Sequence, residues 1–171
     1  MQRLDNILEY FPPELRAAFE MLEAGICERV NEIRLHQNGY VLLIIRNTAY
    51  FLDYNGDLYD KPSSHCITVD SDELDKIFMS MCSFSLYSHM DSLKNGYLTL
   101  PGGARVGVAA SGVYEDGVLV TVKDITSLNI RVPSEVKGCA GSVLNFLYVH
   151  AFPSIIVAGK PNSGKTTLFN Q

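Results

Sequence analysis

The chain has 171 residues, 47% hydrophobic and 19% charged. That balance excludes extended disorder and collagen-like repetition and leaves room for one ordinary domain with part of a second. The net charge of −5 is uneven: residues 1–90 carry 14 acids and 7 bases, residues 91–171 carry 5 acids and 7 bases, so the second half is the better suited to face an anion.

No apolar run approaches the roughly 20 residues that cross a bilayer, and the N-terminus lacks the apolar core of an export signal. Cys27, Cys66, Cys82 and Cys139 show no metal-ligand spacing. These features predict a cytosolic protein with reduced thiols.

In chain order, Pro12-Pro13-Glu14 opens a helix, because proline is tolerated in the first turn and an acid suits the N-terminal dipole. Leu15, Ala18, Phe19 and Leu22 follow the helical spacing, and Gly25 supplies a stop. From about Glu32 the period changes to two. Ile33 and Leu35 alternate with polar neighbours, and Tyr40–Arg46 and Ala49–Asp53 read as further strands, with turns at Asn47-Thr48 and Asn55-Gly56. Asp70 and Glu73 form a cap-like start for a helix over about Ser71–Leu86, whose stripe is Leu74, Ile77, Phe78 and Met81.

After Asn95-Gly96 the chain returns to strands at Tyr97–Leu100, Ala104–Val113, Val118–Lys123 and Leu128–Val132. Turns at Pro101-Gly102-Gly103 and Glu115-Asp116-Gly117 separate the first three. A helix over about Ala140–Val149 and an apolar segment, Ser154–Ala158, complete the pattern. Residues 1–135 therefore read as an α+β domain of antiparallel strands with two main helices. Residues 136–171 read as the opening of an α/β unit, with Ser134–Gly138 as linker.

Gly159-Lys160-Pro161-Asn162-Ser163-Gly164-Lys165-Thr166 fits G-x-x-x-x-G-K-[ST] at every specified position. Glycines let backbone N–H groups surround phosphate oxygens where side chains would clash. Lys165 supplies a point charge to the β- and γ-phosphates, the Thr166 hydroxyl is the Mg²⁺ ligand, and the helix that starts here, continuing through Thr167, aims its positive end at the same anion. A random chain of this length matches the pattern about once in a hundred times. The β-branched run before it predicts a buried parallel strand. After the loop comes no acid-ended strand. The chain is expected to bind ATP with Mg²⁺ but not to turn it over.

Four blocks carry a more specific likeness: Phe11–Arg16, Asn31–Leu35, Asn95–Gly107 and Lys123–Arg131, followed by the phosphate loop. In these the chain resembles the stage III sporulation protein AA family, sporulation ATPases related to the type II and type IV secretion ATPases. The resemblance implies a RecA-like motor domain after the N-terminal domain and a ring, expected to be a hexamer, that powers a channel of membrane-associated sporulation proteins. It also implies a cytoplasmic location, peripheral to the membrane through those partners. By the same analogy, Arg105, Arg131 and Arg34 are candidates to approach the nucleotide or a neighbouring subunit. The chain departs from the family at Ala110-Ser111 and at Phe169-Asn170. A nucleotide-gated binding or scaffold module with little turnover is the alternative. Nucleic acid is not an expected partner, since the chain is acidic and its aromatics are not interleaved with Lys or Arg.

Overall fold

In a computed structural model, the structure describes residues 2–133, 140–150, 154, 156–161, 163–165 and 168. The chain divides into two units, residues 1–133 and residues 134–171.

The first unit opens with three helices, α1 (Gln2–Leu8), α2 (Pro13–Met21) and α3 (Ala24–Cys27). Helix α2 starts with proline in its first turn and buries Leu15, Ala18 and Phe19, as the spacing predicts. It stops before Gly25, however. Leu22 turns to ψ 139° and its side chain is buried, and Gly25 falls inside the short α3. The reason is a close approach: a Cβ on Gly56 would lie 2.7 Å from the Met21 carbonyl carbon, so the turn at Asn55-Gly56 abuts the end of α2. Helix α1 was not expected from the sequence, although Leu4, Ile7 and Leu8 are buried.

Strands β1 (Val30–His36), β2 (Gly39–Tyr40), β3 (Leu42–Ile45), β4 (Thr48–Leu52), β5 (Leu58–Tyr59) and β6 (Thr68–Val69) follow. The expected strand Tyr40–Arg46 is in fact two. Tyr40 pairs with Thr68 in a two-stranded sheet, whereas Leu42 pairs with Phe51, and the fully buried Val41 at the break donates to the Ile67 carbonyl. The hairpin turn sits at Arg46-Asn47, both left-handed (φ 49° and 68°), one residue before the expected position. This is the geometry that matches the twist of the flanking strands.

Helix α4 (Ser71–Met81) has the expected capping box. Glu73 N–H donates to Asp70 Oδ1 at 2.8 Å, and Asp70 N–H donates to Glu73 Oε2 at 3.2 Å. It ends at Met81 rather than Leu86, because Ser83 and Phe84 are left-handed and Phe84 N–H reaches back to the Met79 carbonyl. A 3₁₀ turn at Tyr87–His89 leads to α5 (Met90–Leu93).

Strands β7 (Tyr97–Thr99), β8 (Arg105–Glu115) and β9 (Val118–Arg131) complete the unit. The two strands expected over 118–123 and 128–132 are one. Strand β9 runs through a left-handed Asp124 (φ 51°), and the register shifts between Ala109 and Ser111 opposite it, which absorbs the irregularity as a bulge. The seven-stranded sheet has the order β5-β4-β3-β1-β9-β8-β7, every neighbouring pair antiparallel. Ile33, Leu35, Leu43, Leu98, Val106, Leu128 and Ile130 form one core with Phe19, Leu74, Ile77 and Phe78 of the helices. Each such side chain contributes about 1.5–3 kcal/mol by leaving water.

In the second unit, α6 (Gly141–His150) forms as expected, with Leu144, Phe146 and Tyr148 exposed. The buried strand expected at Ser154–Ala158 is not seen among the described residues. Ser154, Ile156, Val157 and Ala158 belong to no strand, and Ile156 is 93% exposed. A parallel strand is held by hydrogen bonds from flanking strands, and among the described residues none pairs here. The expected linker, Ser134–Gly138, lies outside the described residues, as does Cys139.

Asp53 is buried and shapes the turn between β4 and β5. Its Oδ1 accepts from Asn55 N–H at 2.9 Å and from Asp57 N–H at 2.8 Å, and its Oδ2 accepts from the Tyr59 hydroxyl at 3.3 Å. The Asp53 charge is the main cause that holds the Tyr59 hydroxyl above its ordinary pKa. Replacing Asp53 with Ala strands two backbone donors, and stability should fall by about 1–3 kcal/mol. A denaturation midpoint equal to wild type would contradict this.

Burial pushes the Cys82 thiol up to about 11 from 9.0. The thiol is neutral in the fold and ionises more readily in the unfolded chain. Its stabilisation is therefore complete below pH 9 and is lost as pH rises toward 11. Melting temperature should drop more steeply between these values in wild type than in Cys82→Ala; parallel curves would show no such linkage.

Candidate functional site

The phosphate-loop sequence folds back on its own lysine. Gly164 is left-handed (φ 83°), Lys165 stands at a helix start, and Leu168 N–H donates to the Gly164 carbonyl at 3.0 Å, closing the first turn. The Lys165 ammonium donates to the Gly159 carbonyl at 2.8 Å, to the Lys160 carbonyl at 2.5 Å and to Ser163 Oγ at 3.4 Å. The side chain thus arcs over the loop that precedes it.

At Gly164 the positive φ strains any residue but glycine, whereas a Cβ on Gly159 would first meet the movable Ser163 Oγ, at 2.7 Å. Lys160 and Pro161 are exposed. Among the described residues neither Lys160 nor Lys165 is ion-paired with a carboxylate. Asn162, Thr166 and Thr167 lie outside the described residues. A small loop without side-chain bulk at its ends, carrying an ammonium already bonded to oxygen acceptors, fits a ligand with phosphate oxygens.

The first unit gathers the three candidate arginines on one face of its large sheet. Arg105, at the start of β8, lies directly opposite Arg131, at the end of β9, and Arg131 lies opposite Glu32 of β1 on its other side. Arg34, two residues along β1 on the same face, donates from Nε to Glu32 Oε1 at 2.7 Å. Val106, Ile130 and Ile33, one step along each strand, point into the core.

Glu32 is engaged by Arg34, and Arg105 and Arg131 are both exposed with no ion pair among the described residues. Two residues were missed in the sequence, Glu32 and Asn129. Asn129 sits beside Arg34 and Gly107 in the next row, and its Oδ1 is buried without a hydrogen-bond partner. The signal was present: Asn129 and Arg131 alternate with Leu128, Ile130 and Val132, which puts both on one face.

Like charges directly opposite on paired strands destabilise a sheet by roughly 0.2–1 kcal/mol. Arg105→Ala or Arg131→Ala should therefore leave thermal stability unchanged or slightly raised at low salt. A loss beyond about 1 kcal/mol would mean that these arginines hold the fold instead.

A family model described as sporulation stage III, protein AA matches residues 1–171. Stage III sporulation protein AA of Bacillus subtilis (strain 168) is 30% identical over 165 residues, which is 96% of this chain and 50% of that protein. The chain thus spans about half the length of the curated relative it matches. Among solved structures, the VirB11 ATPase from the Brucella suis type IV secretion system, in complex with sulphate, is 16% identical with a TM-score of 0.40, covering 93% of this chain and 40% of that one. The Legionella pneumophila ATPase DotB is 18% identical with a TM-score of 0.42, covering 93% and 42%. At overlaps this partial, neither likeness carries weight for the fold or the chemistry.

Proposed function

The chain belongs to the sporulation stage III, protein AA family, and from that premise we propose that it is the ATP-binding part of a secretion-type ATPase that powers a sporulation-associated transport complex. The observation that carries this reading is the loop Gly159–Thr166, which fits G-x-x-x-x-G-K-[ST] throughout, with a left-handed Gly164 and Lys165 curled back over the loop.

In this reading the backbone from Gly159 to Gly164, with Lys160, Pro161, Asn162 and Ser163 between, encloses the phosphates. Lys165 would exchange its carbonyl partners for β- and γ-phosphate oxygens, and the Thr166 hydroxyl would hold Mg²⁺. The metal, when bound, neutralises phosphate charge. Arg105 and Arg131, with Arg34 beside them, present a second anion-facing surface. Guanidinium groups suit phosphate because they stay charged and grip two oxygens at once.

The protein so read acts as a ring, a hexamer, in the cytoplasm, peripheral to the membrane and in contact with channel proteins there. No helix among the described residues is long and apolar enough to cross a membrane. Residues 136–171 are then the start of a RecA-like domain.

Lys165→Ala removes a charge-assisted contact worth about 1.5–3 kcal/mol, so affinity for ATP·Mg²⁺ by calorimetry should fall roughly 10- to 150-fold. Equal affinities would overturn the reading.

A further inference from the structure

The hairpin of β8 and β9 outruns the sheet that carries it. Strand β7 pairs with β8 only at Arg105–Gly107, extended by one bond from Val108 N–H to the Gly96 carbonyl. Strand β1 pairs with β9 only at Ser127–Arg131, extended by one bond from Gln37 N–H to the Thr126 carbonyl. Beyond these points Ser111–Glu115 and Val118–Lys123 pair with each other, and among the described residues no further strand pairs with either outer edge. The bulge at Asp124, where the register slips between Ala109 and Ser111, lies where the ribbon leaves the sheet. Bulges bend and twist a strand pair, which turns the ribbon out of line with β7 and β1.

Within the free edges, Ala109–Tyr114 and Val118–Val122 contain no charged residue and no proline, while Glu115, Lys123 and Asp124 stand at their ends and a second register shift falls between Val113 and Tyr114. Tyr114, Val118 and Val120 are 65%, 58% and 38% exposed. The two edges are also of matching length and opposite direction, so the β9 edge of one ribbon can continue the β8 edge of another with both tips pointing the same way. In the register the strands already keep within one chain, Lys123 stands level with Ser111 and Glu115 with Val118. A neighbour seated at that height brings no like charges together.

We propose that this ribbon is a self-association surface, on which the free edge of β8 in one copy pairs head-to-tail with the free edge of β9 in the next. A contact between two different edges leaves both edges of every copy used only when the assembly closes into a ring. The proposal deepens the self-assembly named above, gives it a location, and does not depend on nucleotide.

The test uses the 171-residue chain without nucleotide at about 10–100 µM, followed by light scattering and by hydrogen exchange. The expected result is a concentration-dependent assembly in which amides of both 109–115 and 118–125 exchange roughly tenfold or more slowly than in dilute protein. Val118→Lys,Val120→Lys on one edge and Ala109→Lys,Ser111→Lys on the other should each give monomers with circular dichroism like wild type. Should a variant fail to fold, the exchange pattern of wild type decides alone.

Protection of one edge only would indicate a two-fold dimer and overturn the head-to-tail arrangement. An assembly whose ribbon amides stay fast, or that survives the lysines, would overturn the ribbon while leaving self-assembly standing. A chain monomeric at the highest concentration would also overturn it, placing any ring contact elsewhere in the protein.

Discussion

The antiparallel pairing of β1 with β9 is the constraint on which the rest of the first unit depends. Ile33 faces Ile130 and Leu35 faces Leu128, joining segments almost a hundred positions apart. Strand β1 then carries β3, β4 and β5 on one side, and β9 carries β8 and β7 on the other. A slip of one residue would turn Ile33, Leu35, Leu128 and Ile130 to solvent and bring arginines into the core. The same register therefore buries the apolar rows and exposes Arg34, Arg105 and Arg131.

Charge is used differently in the two halves. Among the acids of residues 1–90, Asp53 caps a turn, Asp70 and Glu73 cap a helix, and Glu32 holds Arg34. These are internal duties, and each satisfies donors that the fold would otherwise leave exposed or stranded. Arg105 and Arg131, Lys160 and Lys165 have no such ionic partner among the described residues. Arg105 and Arg131, directly opposite each other on β8 and β9, set like charges side by side.

Local chemistry was legible in the sequence. The proline start of α2, the Asp70–Glu73 box and the alternation in β1 each depend on residues within a few positions of one another. What escaped depends on distant chain. Gly25 looked like a helix stop, but the helix ends earlier because the Asn55-Gly56 turn packs against Met21. Val41 looked like mid-strand, but a bond to Ile67 divides the strand between two sheets. Asp124 looked like a strand end, but a left-handed residue lets β9 continue. The arginines were visible as candidates, whereas their shared face followed only from the pairing of β8, β9 and β1.

The position of β9 has a consequence for synthesis. While the chain emerges from a ribosome, β1, β3 and β4 can already pair, but β1 presents an open edge until residues 127–131 are made. Closing so long a loop is slow, and its product gains nothing until the last strand arrives. During that interval the β9-facing edge of β1 has no partner strand, which is the period when a nascent chain is most prone to wrong pairing. The phosphate loop is translated some thirty residues after Arg131. The sheet can therefore be complete before the segment Gly159–Thr166 leaves the exit tunnel.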